Sequence, residues 1–224
     1  MPNRLSIVIP AGPGDTAWQG LLPDLERVRS ADIAIVLPSE PSVDATPLAG
    51  DRLILVFSPA GRARQQNAGA AATTGDWIWF LHADSRFTAQ TLPHLHAFIA
   101  RDEPALGFFD LRFCNDGPRM THLNALGAHV RSRWLGLPFG DQGLLMPRRV
   151  FEALGGFDEG LASGEDHALV WKAKRTGLPV RPIGAPLLTS ARRYAEHGWW
   201  RTTGRHLRLT CQQAWAYSRA ERGG

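Results

Sequence analysis

The stretch Gly61-Arg62-Ala63-Arg64-Gln65-Gln66-Asn67-Ala68-Gly69-Ala70-Ala71-Ala72-Thr73-Thr74-Gly75-Asp76-Trp77-Ile78-Trp79-Phe80-Leu81-His82-Ala83-Asp84 decides the fold. Arg62 to Thr74 is rich in Ala and closes with Gly75, as a helix packed closely on a sheet does. Trp77 to Leu81 is apolar throughout rather than alternating, which suits a strand buried on both faces. Short runs of the same kind recur at Leu5–Ile9, Ile33–Leu37 and Leu53–Phe57, with helical segments between them. This rhythm predicts an α/β fold: a single domain with a mostly parallel central sheet flanked by helices. Ligands of such sheets collect at the carboxyl ends of the strands, so the loops after these runs are where chemistry is expected.

The rest of the chain extends the pattern. Helices are expected at Thr88–Arg101, with Pro93 early in it, and at Leu123–Arg133, Pro147–Leu154 and Glu165–Arg175. Phe108–Phe113 reads as a strand, Val180–Leu188 as an irregular or edge strand because of Pro182 and Pro186, and Tyr194–Tyr217 as a final helix or helix pair. No repeat or low-complexity linker interrupts the series.

Bulk properties narrow the function classes. A chain of 224 residues, 44% hydrophobic and 21% charged, has the size and composition of one well-buried domain. Cys114 and Cys211 match no metal-ligand spacing and read as plain thiols of a reducing compartment. No run approaches the roughly 18 consecutive apolar residues of a membrane span, so a cytoplasmic protein is expected, at most peripheral to the inner face of the membrane. The formal charge of +4 is uneven: from Arg192 onward seven Arg face only Glu196 and Glu221, and residues 1–191 are nearly neutral. Residues 1–191 therefore read as the main domain and 192–224 as a basic, Trp-rich helical extension. Its Trp199, Trp200, Trp215 and Tyr217, mixed with Arg201, Arg205 and Arg208, suit either packing on the domain or lying in a membrane interface. Nucleic acid is not expected as a partner.

Three places carry candidate chemistry. His82-Ala83-Asp84-Ser85 follows the apolar run, and alternation points His82 and Asp84 the same way. An imidazole and a carboxylate there can hold a divalent cation whose other positions are filled by diphosphate oxygens and water; the plain alternative is a turn or capping Asp. Arg62, Arg64 and Asn67 stand at or near a helix start that favours anions, or form an ordinary solvated one. Asp166 lies in Ser163-x-x-Asp166, a capping-box-like spacing, and Asp141 in the Gly-flanked segment Gly140-Asp141-Gln142-Gly143, where backbone approaches a ligand closely or simply turns. The loop Pro10-Ala11-Gly12-Pro13-Gly14-Asp15 fits a nucleotide-binding turn after the first strand and also any strand-to-helix connection.

Together with Phe139-Gly140-Asp141-Gln142-Gly143, with Arg148-Arg149-Val150-Phe151-Glu152-Ala153-Leu154-Gly155-Gly156-Phe157-Asp158-Glu159, and with Gly164-Glu165-Asp166-His167, the opening stretch resembles family 2 glycosyltransferases over most of residues 5–177. Leu81-His82-Ala83-Asp84 is most similar to a bacterial selenodomain-associated subgroup of glycosyltransferase-like proteins. The resemblance implies the GT-A fold of nucleotide-diphospho-sugar transferases. It implies an inverting transfer of a sugar from a nucleotide-diphosphate donor to a small-molecule, glycan or lipid-linked acceptor. Asp84 then falls on the metal-binding Asp of the family motif, with Mn²⁺ or Mg²⁺ as cofactor, and His82 stands where the first Asp normally is. Asp166, in the Glu165-Asp166 pair, falls on the general base, and Asp141 is the alternative base or a sugar contact beside Gln142. The donor site would draw on Pro10, Ala11, Gly12, Arg62, Arg64, Asn67, His82, Ala83 and Asp84. In the family the first loop usually carries Asn-Glu and the second strand is followed by an Asp pair; here Gly12-Pro13-Gly14-Asp15 and Pro38-Ser39-Glu40 occupy those places.

Two other classes stay open. A nucleotidyltransferase of similar sheet is supported by Gly12 and Gly14, although no Lys or Arg lies in that loop to stabilise pyrophosphate. A non-catalytic glycosyltransferase-like binding protein is supported by His82 and the missing Asp pair. In the transferase reading, Asp84, Arg64, Asn67 and Asp166 are expected around one pocket at the mouth of the sheet.

Overall fold

The computed structural model describes residues 4–38 and 52–204. Four strands, β1 (Leu5–Pro10), β2 (Ala31–Leu37), β3 (Leu53–Phe57) and β4 (Trp77–Phe80), run parallel in the order β3-β2-β1-β4. The sheet grows past β4 with four more: β5 (Arg86–Phe87), β6 (Leu106–Phe113), β7 (Leu144–Pro147) and β8 (Val180–Thr189), giving the full order β3-β2-β1-β4-β7-β6-β8-β5. β7 is antiparallel to β4 and to β6, β8 is parallel to β6, and β5 caps the edge antiparallel to β8. Six of eight strands thus share one direction, and the mostly parallel sheet expected from the apolar runs is present.

Both faces of the sheet are covered. Ile7, Ile9, Ile33, Ile35, Trp77 and Trp79 point to one side, against Trp18, Leu21, α1 (Leu22–Glu26) and α3 (Thr91–Ile99). Val8, Ala34, Val36, Ile78 and Phe80 point to the other, against α2 (Arg62–Ala71), α5 (Arg148–Ala153) and α6 (Glu165–Arg175). Alternate residues of each central strand therefore feed separate cores, which is why these strands are apolar except at Ser6 and Asp32, whose side chains accept hydrogen bonds from Gly75 N and Arg4 Nη2 respectively. Pro93 sits in the first turn of α3, where its missing N–H removes no helical bond. Gly69 is the closest point between α2 and the sheet: a Cβ there would stand 2.4 Å from Val8 Cγ1 and 2.8 Å from Val36 Cγ2.

In the second half one reading is corrected and two gain detail. Val180–Leu188, read as irregular or edge, is β8, one strand in from the edge; its prolines are accommodated by a register shift in which the partner of Phe108 is Pro182 and that of Asp110 is Pro186. Pro147, read as opening a helix, ends β7 and precedes α5. Of the final helix or helix pair, the described part is a pair: α7 (Arg192–His197) stops at Gly198, whose φ of +81° is a conformation that favours glycine, and residues 199–204 form a second helical piece. The remainder of that expected helix, with Cys211, lies outside the described residues, as do Ser39 and Glu40.

The helix between β6 and β7, α4 (Thr121–Trp134), is oriented against its own hydrophobicity. Thr121, Ala128 and Ser132 face inward and are buried, whereas Leu123, Leu126, Val130 and Trp134 are exposed. Small inward residues let the backbone of α4 approach β6, and Ser132 Oγ returns its bond to Ala128 O at 2.7 Å. Arg131 comes with that inner face toward the ends of β6 and β7.

Candidate active site

After β4 the chain turns at His82-Ala83-Asp84-Ser85, closed by Ser85 N donating to His82 O at 3.1 Å. Across from it, residues Gly140–Gln142 form a single 3-10 turn, and Gly143 (φ +61°) then redirects the chain into β7. Gln142 pins this turn: its Nε2 donates to Phe109 O at 2.9 Å, and its Oε1 accepts from Phe139 N at 3.2 Å and Arg131 Nη2 at 3.3 Å. Buried and bonded in this way, Gln142 holds the turn in place instead of presenting its amide to a ligand.

Gly140 is the meeting point. A Cβ built on it would stand 2.9 Å from Asp166 Oδ2, 3.1 Å from His82 Nε2 and 3.3 Å from Arg62 Nη2. Three candidate side chains, from the start of α2, the loop after β4 and the start of α6, thus surround one point that glycine leaves free of carbon. Asp166 is aimed by two backbone donors, Gly140 N to Oδ2 at 2.6 Å and His167 N to Oδ1 at 2.8 Å. Arg62 Nε lies 3.2 Å from Glu165 Oε1, which orients the guanidinium and leaves its buried Nη2 without a hydrogen-bond partner. His82 Nε2 is also buried and unpartnered. Two buried, unpartnered nitrogens around one point mark a place suited to something polar.

The electrostatics follow from burial. Removal from water, with the positive Arg62 and Arg193 nearby, holds the His82 imidazole well below its ordinary pKa, so it is neutral. Asp141, whose Oδ1 is buried without a partner, is pushed from 3.8 up to about 6 by desolvation; the neighbouring Asp166 and Asp84 add to the rise and Arg131 and Arg62 oppose it. Glu165 is raised by burial and by Asp166, against Arg62. Tyr194 is raised to about 12 by burial and by Asp141.

Arg131 is the residue that sequence reading missed. Its Nε donates to Leu137 O at 2.8 Å, its guanidinium lies 3.3 Å above the Phe139 ring, and it is the positive charge facing both Asp141 and Asp166. Its only sequence signal is that it falls on the small-residue side of α4 with Ala128 and Ser132.

The remaining candidates divide between two other openings. Asp84 accepts from Thr189 Oγ1 at 3.3 Å and lines a cavity of about 390 Å³ with Thr16, Arg86, Cys114, Asp116 and Arg192. Cys114 is a free thiol, held protonated by burial and Asp116. Arg64 and Asn67 open on a separate hollow beside Ser58 and Glu159. Asn67 is a clamp: Nδ2 donates to Phe157 O at 3.0 Å and Glu159 Oε1 at 2.8 Å, and Oδ1 accepts from Phe157 N at 3.0 Å. The expected pocket is therefore composed differently, with Arg62 rather than Arg64 and Asn67 joining Asp166.

Of the first loop, Ala11 is buried and Gly12 exposed. Gln65 Nε2 donates to Ala11 O at 2.8 Å and Val36 O at 3.0 Å, joining the ends of β1 and β2 from α2. Ala83 is buried beneath the turn.

No group of three or more His, Cys, Asp or Glu among the described residues could hold a metal ion alone. Asp84, with one carboxylate open to the cavity, fits a cation that brings most of its ligands with it. His82 fits less well, since Arg62 and Arg193 make its surroundings favourable to an anion.

Residues 42–156 match the model of a family described as glycosyl transferase family 2. The chain belongs to this family. The matched stretch holds Arg62, His82, Asp84, Asp141 and the Gly155-Gly156 turn. No curated protein matches the chain. Among solved structures, Staphylococcus aureus TarS is similar over 84% of this chain and 37% of its own, at 16% identity and a TM-score of 0.62. A shorter form of it, TarS 1-349 in complex with UDP-GlcNAc, is 15% identical over 84% of this chain and 58% of its own, with a TM-score of 0.60. The mannosyltransferase PcManGT from Pyrobaculum calidifontis, in complex with GDP-Man and Mn²⁺, is 20% identical over 100% of this chain and 66% of its own, with a TM-score of 0.66. The family 2 chain spans less than two thirds of each of these. They establish its fold as GT-A.

Proposed function

We propose that this family 2 protein moves a sugar from a nucleotide-diphosphate donor to an acceptor hydroxyl, with inversion at the anomeric carbon. The observation that carries the reading is the convergence of Arg62, His82 and Asp166 about Gly140, with Asp141 buried beside them. A guanidinium, a neutral imidazole and two carboxylates at one point supply what a displacement at an acetal carbon needs: a positive group for the departing diphosphate and a base for the incoming hydroxyl.

Asp166 is the base. Its two backbone donors fix the direction of its carboxylate, so a hydroxyl delivered to the free side of Oδ2 meets a lone pair already aligned. Arg62, held by Glu165, faces the diphosphate with the start of α2, while Arg64, on the separate hollow, is paired with Glu159. His82, neutral, donates to or accepts from a phosphate or sugar oxygen. Asp84 holds Mn²⁺ or Mg²⁺ jointly with the diphosphate; such a cation neutralises charge that builds on the leaving group. Pro10, Ala11 and Gly12 end the first strand where a nucleotide base would lie. A nucleotide-sugar donor accords with the UDP-GlcNAc and GDP-Man held by the structural neighbours. Leu81-His82-Ala83-Asp84 supports placement in the selenodomain-associated subgroup, and residues 192–224 are read as an extension of the 1–191 domain.

One observation favours a second assignment of the base. Asp141, at about 6, is nearer to the pH at which the enzyme would work and closer to the optimum for proton transfer.

Thermal shift with uridine, guanosine and thymidine diphosphates, each with and without Mn²⁺, tests the donor site. A shift that needs nucleotide and metal together, and that disappears in Asp84→Ala, is expected; no shift with any of the three sinks the proposal. Slow hydrolysis of the matching nucleotide sugar, with water in place of acceptor, tests the base. Asp166→Asn is expected to keep the shift and lose about 10²- to 10⁴-fold in turnover. If Asp141→Asn shows that loss and Asp166→Asn does not, the base is Asp141.

A further inference from the structure

We infer that the outer face of α4, continued by Trp200, docks the protein on a lipid bilayer carrying anionic headgroups. The face is apolar along its length. Leu123, Leu126, Val130 and Trp134, spaced three or four residues apart, are 56%, 59%, 48% and 82% exposed. Leu135 extends it at 58%. A helix on a soluble domain ordinarily turns such a stripe inward; α4 does the reverse, burying Thr121, Ala128 and Ser132. Its large apolar side chains are thus left for something outside the domain.

The second helical piece lies beside α4 and exposes a further aromatic side chain. Trp199 Nε1 donates to Asn124 Oδ1 at 2.6 Å and Asn124 Nδ2 to Thr203 Oγ1 at 3.0 Å, so residues 199–204 lie along α4. Trp200, 77% exposed, stands edge-on to Trp199 with ring centroids 4.7 Å apart.

Charge selects the occupant. From Gly117 to Gly140 there is no Asp or Glu; Arg131 turns inward and Arg133 pairs with Asp110, but Arg119 is exposed at the start of the span, and seven Arg against two Glu follow from Arg192. Asp110, the carboxylate that reaches this helix, is already engaged by Arg133 at 2.7 Å and by His129 at 3.5 Å. Asp116, just before the span, is bonded to Ser190 and Ala191. Exposed leucines with tryptophans at the end and arginines at the rim match a headgroup and acyl boundary of negative surface potential. The docking is independent of the transfer chemistry, and its test does not use activity.

The experiment is co-sedimentation of the full chain with vesicles of phosphatidylcholine, alone or mixed with phosphatidylglycerol. The expected result is binding to the mixed vesicles, weaker binding to neutral ones, and loss of the difference at high salt. Leu126→Glu with Trp134→Glu lowers binding at least about ten-fold. Arg119→Ala and Arg201→Ala each weaken binding to the mixed vesicles about five-fold and leave neutral vesicles unaffected. All four side chains are exposed, so the melting temperature is expected to stay at the wild-type value and serves as the folding control. The proposal is overturned if the wild type stays in the supernatant with both vesicles. It is equally overturned if the Leu126/Trp134 variant pellets like wild type. A dimer in sedimentation velocity that this variant dissolves, without vesicle binding, assigns the face to a second copy instead.

Discussion

Asp141 is a carboxylate that the fold holds at a loss, and the loss can be measured. Its rise from 3.8 to about 6 corresponds to about 3 kcal/mol of disfavoured ionisation. The sign follows from comparing folded and unfolded chains. Below about pH 4 both are protonated at this group and nothing is lost. Between about pH 4 and 6 the unfolded chain ionises first, so stability falls as pH rises; above about pH 6 the full deficit is present. Asp141→Asn carries no charge at any of these values and escapes the deficit. In a series of calorimetric melts the melting temperature of the variant relative to wild type should rise by about 5–10 °C between pH 4 and pH 8. The decisive quantity is the change of the gap with pH, because an asparagine at this buried position adds an offset of its own that does not titrate. A gap, variant minus wild type, that stays constant across the series, or that falls as pH rises from 4 to 8, would refute the account of Asp141 as a desolvated carboxylate.

Three further outcomes follow from the packing. Gly69→Val drives a branched side chain into Val8 and Val36 and should lower stability by about 3 kcal/mol or more in denaturant titration, with α2 unable to retreat without losing the Gln65 bonds. Asn67→Ala removes three hydrogen bonds that hold the turn at Phe157 and leaves a peptide group there unpaired; a loss of about 2–3 kcal/mol is expected, without change in nucleotide affinity. Arg131→Leu takes away a positive charge that favours ionised Asp141, so the carboxyl of Asp141 should titrate at higher pH when followed by carbon-13 NMR; an unmoved titration would show that Arg131 serves packing against Phe139 alone.

How far the sequence could be read depended on how local each signal was. β3 and α6 begin and end where their residues indicate, Leu53–Phe57 and Glu165–Arg175, because each is bounded by a clear change in composition. β7 and β5, four and two residues long, carry too little pattern to stand out, and β7 owes its place to partners on both sides. At the site, Arg62, His82 and Asp166 lay within stretches the sequence had singled out, but their convergence on Gly140 is a product of three distant segments. Asn67 and Gln142 illustrate the limit: an amide written in a promising motif serves a ligand or the protein itself, and only the positions of Phe157 and Phe109 decide which. Arg131 was obscured by the orientation of α4, since a helix with Leu123, Leu126 and Val130 along one stripe gives no notice that the opposite side faces two carboxylates.

The brace made by Gln65 sets how the mouth of the sheet can respond to an incoming molecule. Both amide hydrogens are already committed, one to Ala11 and one to Val36, so the floor formed by the first two strands is stapled at its rim. Accommodation of a larger or smaller heterocycle there has to come from rotation of side chains, and discrimination between bases would be written in shape rather than in movement of the main chain.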